Sequence, residues 1–266
     1  MASSVTVGIP FYSGSNPEQL QAAIDSIINQ SLRPDEVHLI QDGSVSKELN
    51  QLVRTYVEHC SNVTHLVIEQ NSGLAYATNF SILHTTSVYY ARMDADDIAY
   101  PQRLEKQIQF LEAHPEIEIL GTWAQEFENN PAIEQGFLRK VPTELTEMER
   151  TFHYRNPFIH PSVVFRREIF AKIGLYNPRF RLEDDLELWS RVFSHKILVA
   201  NLPEPLIYYR FTGSVQRRAA AVRYNAKARY QFNTWSIQLN VLKILAILLR
   251  VMPNSVQEWA YKNLRS

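Results

Sequence analysis

The sequence predicts an α/β fold with a mostly parallel central sheet, followed by a helical tail. Two patterns carry that expectation. Short apolar runs of strand length alternate with longer stretches whose apolar residues recur at helical spacing. The segments that follow the apolar runs are polar or turn-forming. Such alternation places helices on the faces of a parallel sheet, where ligands bind beyond the carboxyl ends of the strands.

Val5 to Ile9 reads as the first buried strand. Asn16-Pro17-Glu18 then supplies an N-cap, a proline at the first helical position and an early acid. Leu20, Ala23, Ile24, Ile27 and Ile28 follow on one helical face. Val37 to Ile40 is the second strand, and Ser46 to His59 a helix with Leu49, Leu52, Val53, Tyr56 and Val57 on one side. Val63 to Ile68, a helix over Leu74 to His84, and a fourth strand from Val88 to Met93 come next. Pro101 opens a helix carrying Leu104, Ile108 and Leu111. The pattern after Thr122 is less regular; a helix is expected over Glu183 to Phe193 and a strand over Leu206 to Phe211.

At 266 residues, 45% of them hydrophobic, the chain has enough apolar material for one sizeable core. Its single cysteine, Cys60, excludes an intramolecular disulfide and fits a reducing, cytoplasmic setting. No signal peptide is expected from Met1 to Pro10, and no run reaches the length needed to span a bilayer. The net charge of −1 is unevenly spread: Val215 to Ser266 holds nine basic residues and one acid, Glu258, or +8, which leaves −9 on the preceding 214 residues. An acidic body with a basic tail points to an anionic surface met by the tail. The body carries no nucleic-acid-binding motif, so nucleic acid is not an expected partner.

Three constellations can carry chemistry. Arg92-Met93-Asp94-Ala95-Asp96-Asp97 crowds three carboxylates after a buried strand. Like charges this close call for a cation, and oxygen ligands suit Mg²⁺ or Mn²⁺. A helix cap would explain one of these acids, not three. Glu183-Asp184-Asp185-Leu186-Glu187-Leu188-Trp189 places acids where they suit a helix dipole, but one held in a cleft can act as a general base. His160, between Ile159 and Pro161, has restricted backbone freedom and could bind phosphate or a metal, or be structural.

Taken in order, these residues resemble the family-2 glycosyltransferases of GT-A fold, a Rossmann-like nucleotide-sugar-binding domain. The motifs are Ile9-Pro10-Phe11-Tyr12, Gln41-Asp42-Gly43-Ser44, Asn71-Ser72-Gly73-Leu74 with Asn79, Met93-Asp94-Ala95-Asp96-Asp97, His160-Pro161-Ser162, and Asp184-Asp185 before Leu188-Trp189. The resemblance is nearest to bacterial enzymes that build capsule, exopolysaccharide and lipopolysaccharide. It divides the chain into a catalytic domain over residues 1–214 and a basic, amphipathic helical segment over 215–266.

The resemblance implies an inverting, divalent-metal-dependent transfer of a sugar from a nucleotide-sugar, usually a UDP-sugar, to a hydroxyl of a glycan or lipid-linked glycan. Pro10, Phe11 and Tyr12 would line the nucleoside pocket and Asp42 would bond the base. Asn71 and Gly73 would close over the nucleotide. Asp94 would sit near ribose and metal, and Asp96 would be the principal metal ligand with Asp97 beside it; His160 is a further candidate ligand. Asp185 would be the catalytic base if the motif is aligned from Trp189; alignment on Glu183-Asp184 would make it Asp184. The chain departs from the family at Gln41, where an acid is common, at Thr78, where an arginine often precedes Asn79, and at Thr212, where a histidine is frequent. A phosphate contact is therefore expected from elsewhere, from Arg92, and Asn79 is a further candidate for donor binding.

In the tail, Ile237 to Met252 reads as an apolar helix with a narrow polar stripe at Asn240, Lys243 and Arg250, ended by Pro253. Trp259, Tyr261, Lys262 and Arg265 follow. Arg217, Arg218, Arg223, Lys227 and Arg229 precede it. Basic residues beside an apolar face and aromatics suit an anionic membrane surface, and a peripheral position on the inner face of the cell membrane is expected. The competing expectation is a helix packed on the body or in a dimer. Two other functions compete: a sugar nucleotidyltransferase, which would want a Gly-rich basic loop where Ile9 to Tyr12 stand, and a non-catalytic glycan- or nucleotide-binding module.

Overall fold

The computed structural model describes residues 3–131, 134, 136–211, 221–253, 255–257 and 259–260. Thr212, Arg217, Arg218, Glu258, Tyr261, Lys262 and Arg265 lie outside the described residues.

The first half alternates as the sequence predicts: β1 (Val5–Tyr12), α1 (Pro17–Ile28), β2 (Glu36–Asp42), α2 (Lys47–His59), β3 (Val63–Ile68), α3 (Leu74–Leu83) and β4 (Tyr89–Arg92). The caps fall where the polar residues stand. Asn16 Oδ1 accepts from the N–H groups of Glu18 and Gln19, and Ser46 Oγ from that of Leu49. Leu20, Ala23, Ile24 and Ile27 of α1 are buried against the sheet residues Val5, Val7 and Ile9.

Strands β3, β2, β1 and β4 pair in parallel in that order. Beyond β4 the sheet turns mixed. A short β5 (Ile98–Ala99) precedes α4 (Arg103–Ala113), which starts two residues past Pro101. Then come β6 (Ile119–Phe127), β7 (Leu138–Arg139), α5 (Leu145–Phe152), β8 (Val164–Arg166), α6 (Ile169–Ile173), α7 (Asp184–Ser194) and β9 (Val199–Arg210). β8 runs antiparallel to both β4 and β6, whereas β6 and β9 pair in parallel. The expected strand over Leu206 to Phe211 is thus the last part of the longer β9.

A second core cluster forms around Trp189 of α7, with Phe158, Phe165, Phe170 and Phe193. The tail adds α8 (Val222–Gln231) and α9 (Ile237–Leu249). Ala228 of α8 joins this cluster, and Arg229 Nε donates to Asn225 Oδ1 while its Nη1 donates to the Phe152 carbonyl.

Candidate active site

The parallel register brings three strand ends to one edge. Tyr12 pairs with Asp42 across β1 and β2, and Gly8 with Arg92 across β1 and β4. The loops after β1, β2 and β4 therefore open at the same side of the sheet, as the strand-end rule requires.

Behind β2 the backbone is shaped around Asp42. Its Oδ1 accepts the Ser72 N–H at 2.7 Å and its Oδ2 the Gly73 N–H at 2.8 Å. The Asn71 amide returns a bond to the Asp42 carbonyl at 3.2 Å. Gly43 has φ +84°, and a Cβ there would sit 2.8 Å from the Asn71 backbone nitrogen, so the close approach of the two loops requires glycine. Gln41 donates to the Gly43 carbonyl at 2.9 Å and contacts His65 Nε2 at 3.0 Å.

After β4, Asp94, Asp96 and Asp97 each bring a carboxylate oxygen within 4.8 Å of the others. Asp94 pairs with Arg92 at 2.7 Å. β5 pairs antiparallel with β9 and so delivers Arg210, whose N–H reaches Asp97 Oδ1 at 2.7 Å and whose Nε reaches the Asp96 carbonyl at 2.9 Å. Asp97 is buried and its Oδ2 has no partner in the structure. Burial, then the Asp94 charge, pushes the Asp96 carboxyl up to about 6; burial with Asp94 and Asp96 raises Asp97 strongly. An orphaned buried oxygen in a group of mutually repelling carboxylates is the donor set a hard divalent cation completes. The residues fit such an ion.

The second acidic group opens α7. Asp185 Oδ1 accepts the Leu186 N–H at 2.8 Å, and Oδ2 accepts the side-chain amide of Asn156. Burial, then the Glu183 charge, raises the Asp185 carboxyl above the usual range. Asp184 is buried with Oδ2 unpartnered, and burial followed by the Asp185 charge pushes it up to about 7. Glu183 takes the left-handed backbone conformation, φ 65°, just before the helix. Its Oε2 accepts the Asn225 amide at 2.8 Å and its Oε1 pairs with Arg250.

Four of the expected site residues meet protein partners in the structure. Phe11 does not line an open pocket: strand alternation sends its ring into the core, 1% exposed, against His65. Pro10 is half-buried and Tyr12 is half exposed on that edge. Asn79 is turned inward, with Oδ1 on the Tyr176 N–H at 2.9 Å and Nδ2 on the Tyr176 carbonyl at 2.8 Å. Arg92 lies beneath the site, 1% exposed on a central strand; its Nη2 pairs with Asp94, while its Nε and Nη1 have no partner in the structure. His160 stands outside the carboxylate group; its Nε2 meets the Tyr176 hydroxyl at 2.9 Å and its ring packs edge-on against Trp189. Burial and the Arg92 charge hold the imidazole neutral, well below its usual range.

The sequence reading left Asn156 and Arg210 without a role. Arg210 stood in the strand expected over Leu206 to Phe211, but nothing local says which carboxylate either residue would meet. A buried second guanidinium, Arg103, donates to the Arg92 carbonyl at 2.7 Å beneath the acids; burial pushes it down to about 9.

The model of Glycosyl transferase family 2 matches residues 6–174, which span β1 through α6 and include the three aspartates after β4. The chain belongs to glycosyltransferase family 2. A UDP-Gal:alpha-D-GlcNAc-diphosphoundecaprenol beta-1,3-galactosyltransferase of Escherichia coli is 30% identical over 264 residues, covering 97% of this chain and 94% of that protein. The amylovoran biosynthesis glycosyltransferase AmsE of Erwinia amylovora is 31% identical, covering 97% of each chain. Among solved structures, the mannosyltransferase PcManGT from Pyrobaculum calidifontis, in complex with GDP-Man and Mn²⁺, superposes with a TM-score of 0.65 at 16% identity, covering 97% of this chain and 75% of that one. That likeness shows the GT-A-like fold. This family-2 enzyme is an inverting, metal-assisted glycosyltransferase that moves a sugar from a nucleotide-sugar donor to a glycan or lipid acceptor.

Proposed function

We propose that this glycosyltransferase transfers a hexosyl or N-acetylhexosaminyl group from a UDP-sugar to a hydroxyl of a lipid-linked glycan during assembly of a bacterial surface polysaccharide. Residues 1–214 form its catalytic domain and residues 215–266 a basic appendage that meets an anionic membrane surface. UDP and a lipid-linked acceptor follow the Escherichia coli relative, a UDP-Gal:alpha-D-GlcNAc-diphosphoundecaprenol beta-1,3-galactosyltransferase.

The observation that carries this reading is the place of Arg92. Its buried guanidinium pairs with Asp94 and its charge is also felt by Asp184 and Asp185, so the carboxylate group after β4 and the acids opening α7 belong to one electrostatic site. The first group suits a donor diphosphate with its cation; the second suits a base. Asp94, Asp96 and Asp97 would hold Mn²⁺ or Mg²⁺. When bound, that cation supplies a Lewis acid for the charge on the departing nucleoside diphosphate.

The chain's own residues do the rest. Asp185, oriented by Asn156 and the Leu186 N–H, takes the proton from the acceptor hydroxyl. The acceptor oxygen bonds to the anomeric carbon from the face opposite the diphosphate. The bond from that carbon to the phosphate oxygen breaks, its electron pair leaves with the nucleotide, and the configuration inverts. The loop held by Asp42, together with Pro10 and Tyr12, forms the nucleoside end. A cleft of about 240 Å³ lined by Lys140, Tyr154, Arg155 and Asn156 reaches the residue that orients Asp185, and we assign it to the acceptor, whose phosphates would suit its two cations.

The test is a donor panel on the purified full chain with Mn²⁺ or Mg²⁺ and lipid-diphosphate-linked acceptors, reading released nucleoside diphosphate with and without chelator. Chelator-sensitive release from a UDP-hexose or UDP-N-acetylhexosamine is expected. Release from a GDP- or dTDP-sugar instead would overturn the donor assignment.

A further inference from the structure

Helix α9 is turned inside out. On the surface of a soluble protein a helix shows its polar residues to water and its apolar ones to the core. In α9 the buried residue is Lys243, fully enclosed. Its ammonium donates to the carbonyls of Arg229 at 3.2 Å and Phe232 at 3.3 Å and to Asn233 Oδ1 at 3.4 Å, gathered at the end of α8. Asn240 donates to the Thr234 carbonyl, and Arg250, the C-cap, pairs with Glu183. The polar stripe legible in the sequence is therefore the side that grips the protein.

The opposite side is bare. Ile237 is 81% exposed, Val241, Ile244, Leu245 and Leu248 are 45 to 55% exposed, and Val251 beyond the helix is 60% exposed. Trp235, just ahead of the helix, is fully exposed. An apolar face this continuous is not left to water without a partner.

The length of the helix and the charge beside it indicate what covers it. α9 has 13 residues, about 20 Å of helix, short of the roughly 30 Å hydrocarbon core. Among the described residues no helix is long and apolar enough to cross a membrane. A short helix with one apolar face and a neighbouring tryptophan lies flat in the interface. Of the nine basic residues from Val215 onward, Arg229 and Lys243 are buried and Arg250 pairs with Glu183. Arg223 and Lys227, one turn apart on α8, stay exposed. An anionic lipid leaflet complements that charge; a second copy of the chain would set one basic surface against another.

We propose that α9 is an in-plane membrane-docking helix, whose face from Ile237 to Leu248 sinks into an anionic leaflet while Lys243 and Arg250 tie it to the catalytic body. The tie is short. Arg250 holds Glu183, and the next two residues are Asp184 and Asp185. Docking of α9 thus fixes the height of the base above the lipid surface. The value of that placement rests on the lipid-linked acceptor proposed above; the docking itself does not.

The test uses the full chain and vesicles of phosphatidylcholine containing roughly a third phosphatidylglycerol, against phosphatidylcholine alone, with no donor present. The wild type is expected to float with the anionic vesicles and not with the neutral ones. Ile244→Glu with Leu248→Glu, at exposed positions that leave folding intact, is expected to lower the bound fraction about ten-fold or more. The same pair should leave turnover on a short water-soluble acceptor unchanged and cut turnover on a vesicle-borne acceptor. A wild type that floats with neither vesicle would overturn the proposal. So would a double variant that floats as well as wild type, or a lipid-free dimer that the double variant disperses. Docking without transfer would instead count against the catalytic reading alone.

Discussion

The side-chain amide of Asn156 donates to Oδ2 of Asp185, and the Leu186 N–H holds Oδ1 at 2.8 Å. The carboxylate is thereby fixed at the mouth of α7 beside the cleft that Asn156 lines. In the proposed reaction this carboxylate acts as base on the acceptor and not on the donor. Asp185→Asn should lower kcat by about 10²- to 10⁴-fold while donor affinity, read by calorimetry with UDP, stays the same. An Asp185→Asn enzyme that kept full kcat would remove Asp185 from the reaction and return attention to Asp184.

The three acids after β4 make a second expectation. Their mutual repulsion should be relieved by a divalent ion that binds the folded state, and such binding raises stability by about 2.7 kcal/mol at a hundred times Kd. Mn²⁺ should therefore raise Tm in the wild type and fail to do so in Asp96→Asn and in Asp97→Asn, as followed by scanning calorimetry. An equal Mn²⁺ shift in Asp97→Asn would mean that its unpartnered Oδ2 is not a ligand.

How far the sequence led is visible in these same residues. The order β1 to β4 and the clustering of acids at strand ends were legible, because period and turn chemistry are local. Asp94, Asp96 and Asp97 lie in one turn, so their convergence needed no tertiary knowledge. Which way a side chain points was harder. Phe11 sits in the right motif, but the pleat turns its ring into the core. Asn79 and Tyr176 are 97 residues apart, and no local pattern announces that one holds the other's backbone. The same holds for Asn156 with Asp185, and for Arg210, which reaches Asp97 only because β5 pairs with β9. The mixed half of the sheet was obscure because β6, β8 and β9 are joined by long irregular connections.

The raised carboxyls opening α7 set a pH dependence. As the proposed base, Asp185 must be ionised to accept a proton, and its folded pKa lies above the usual carboxylate value. Turnover is therefore full above that pKa and falls as pH drops through it, giving kcat an acid limb higher than an exposed aspartate would produce. Asp184 contributes to stability with the same logic. Its folded pKa of about 7 exceeds its unfolded value near 3.8, so the folded state holds the proton more tightly and stability is lost as pH rises between those two values. Asp184→Asn should remove that loss. Its Tm relative to wild type should improve from pH 5 to pH 8; a difference independent of pH would show that Asp184 does not titrate in this range.

Asn79 separates a structural role from a donor contact. Its amide closes two bonds on the backbone of Tyr176, and the Tyr176 hydroxyl in turn meets His160. Asn79→Ala would leave a buried N–H and a buried carbonyl unpaired, at a cost of about 2–4 kcal/mol. That corresponds to a fall in Tm of roughly 5–15 °C for a chain of this size. Donor Kd should hardly change, because neither amide atom faces the nucleotide edge in this structure. A variant with wild-type Tm and a ten-fold weaker donor Kd would reverse the assignment, since only a direct donor contact could lose affinity without loosening the Tyr176 segment.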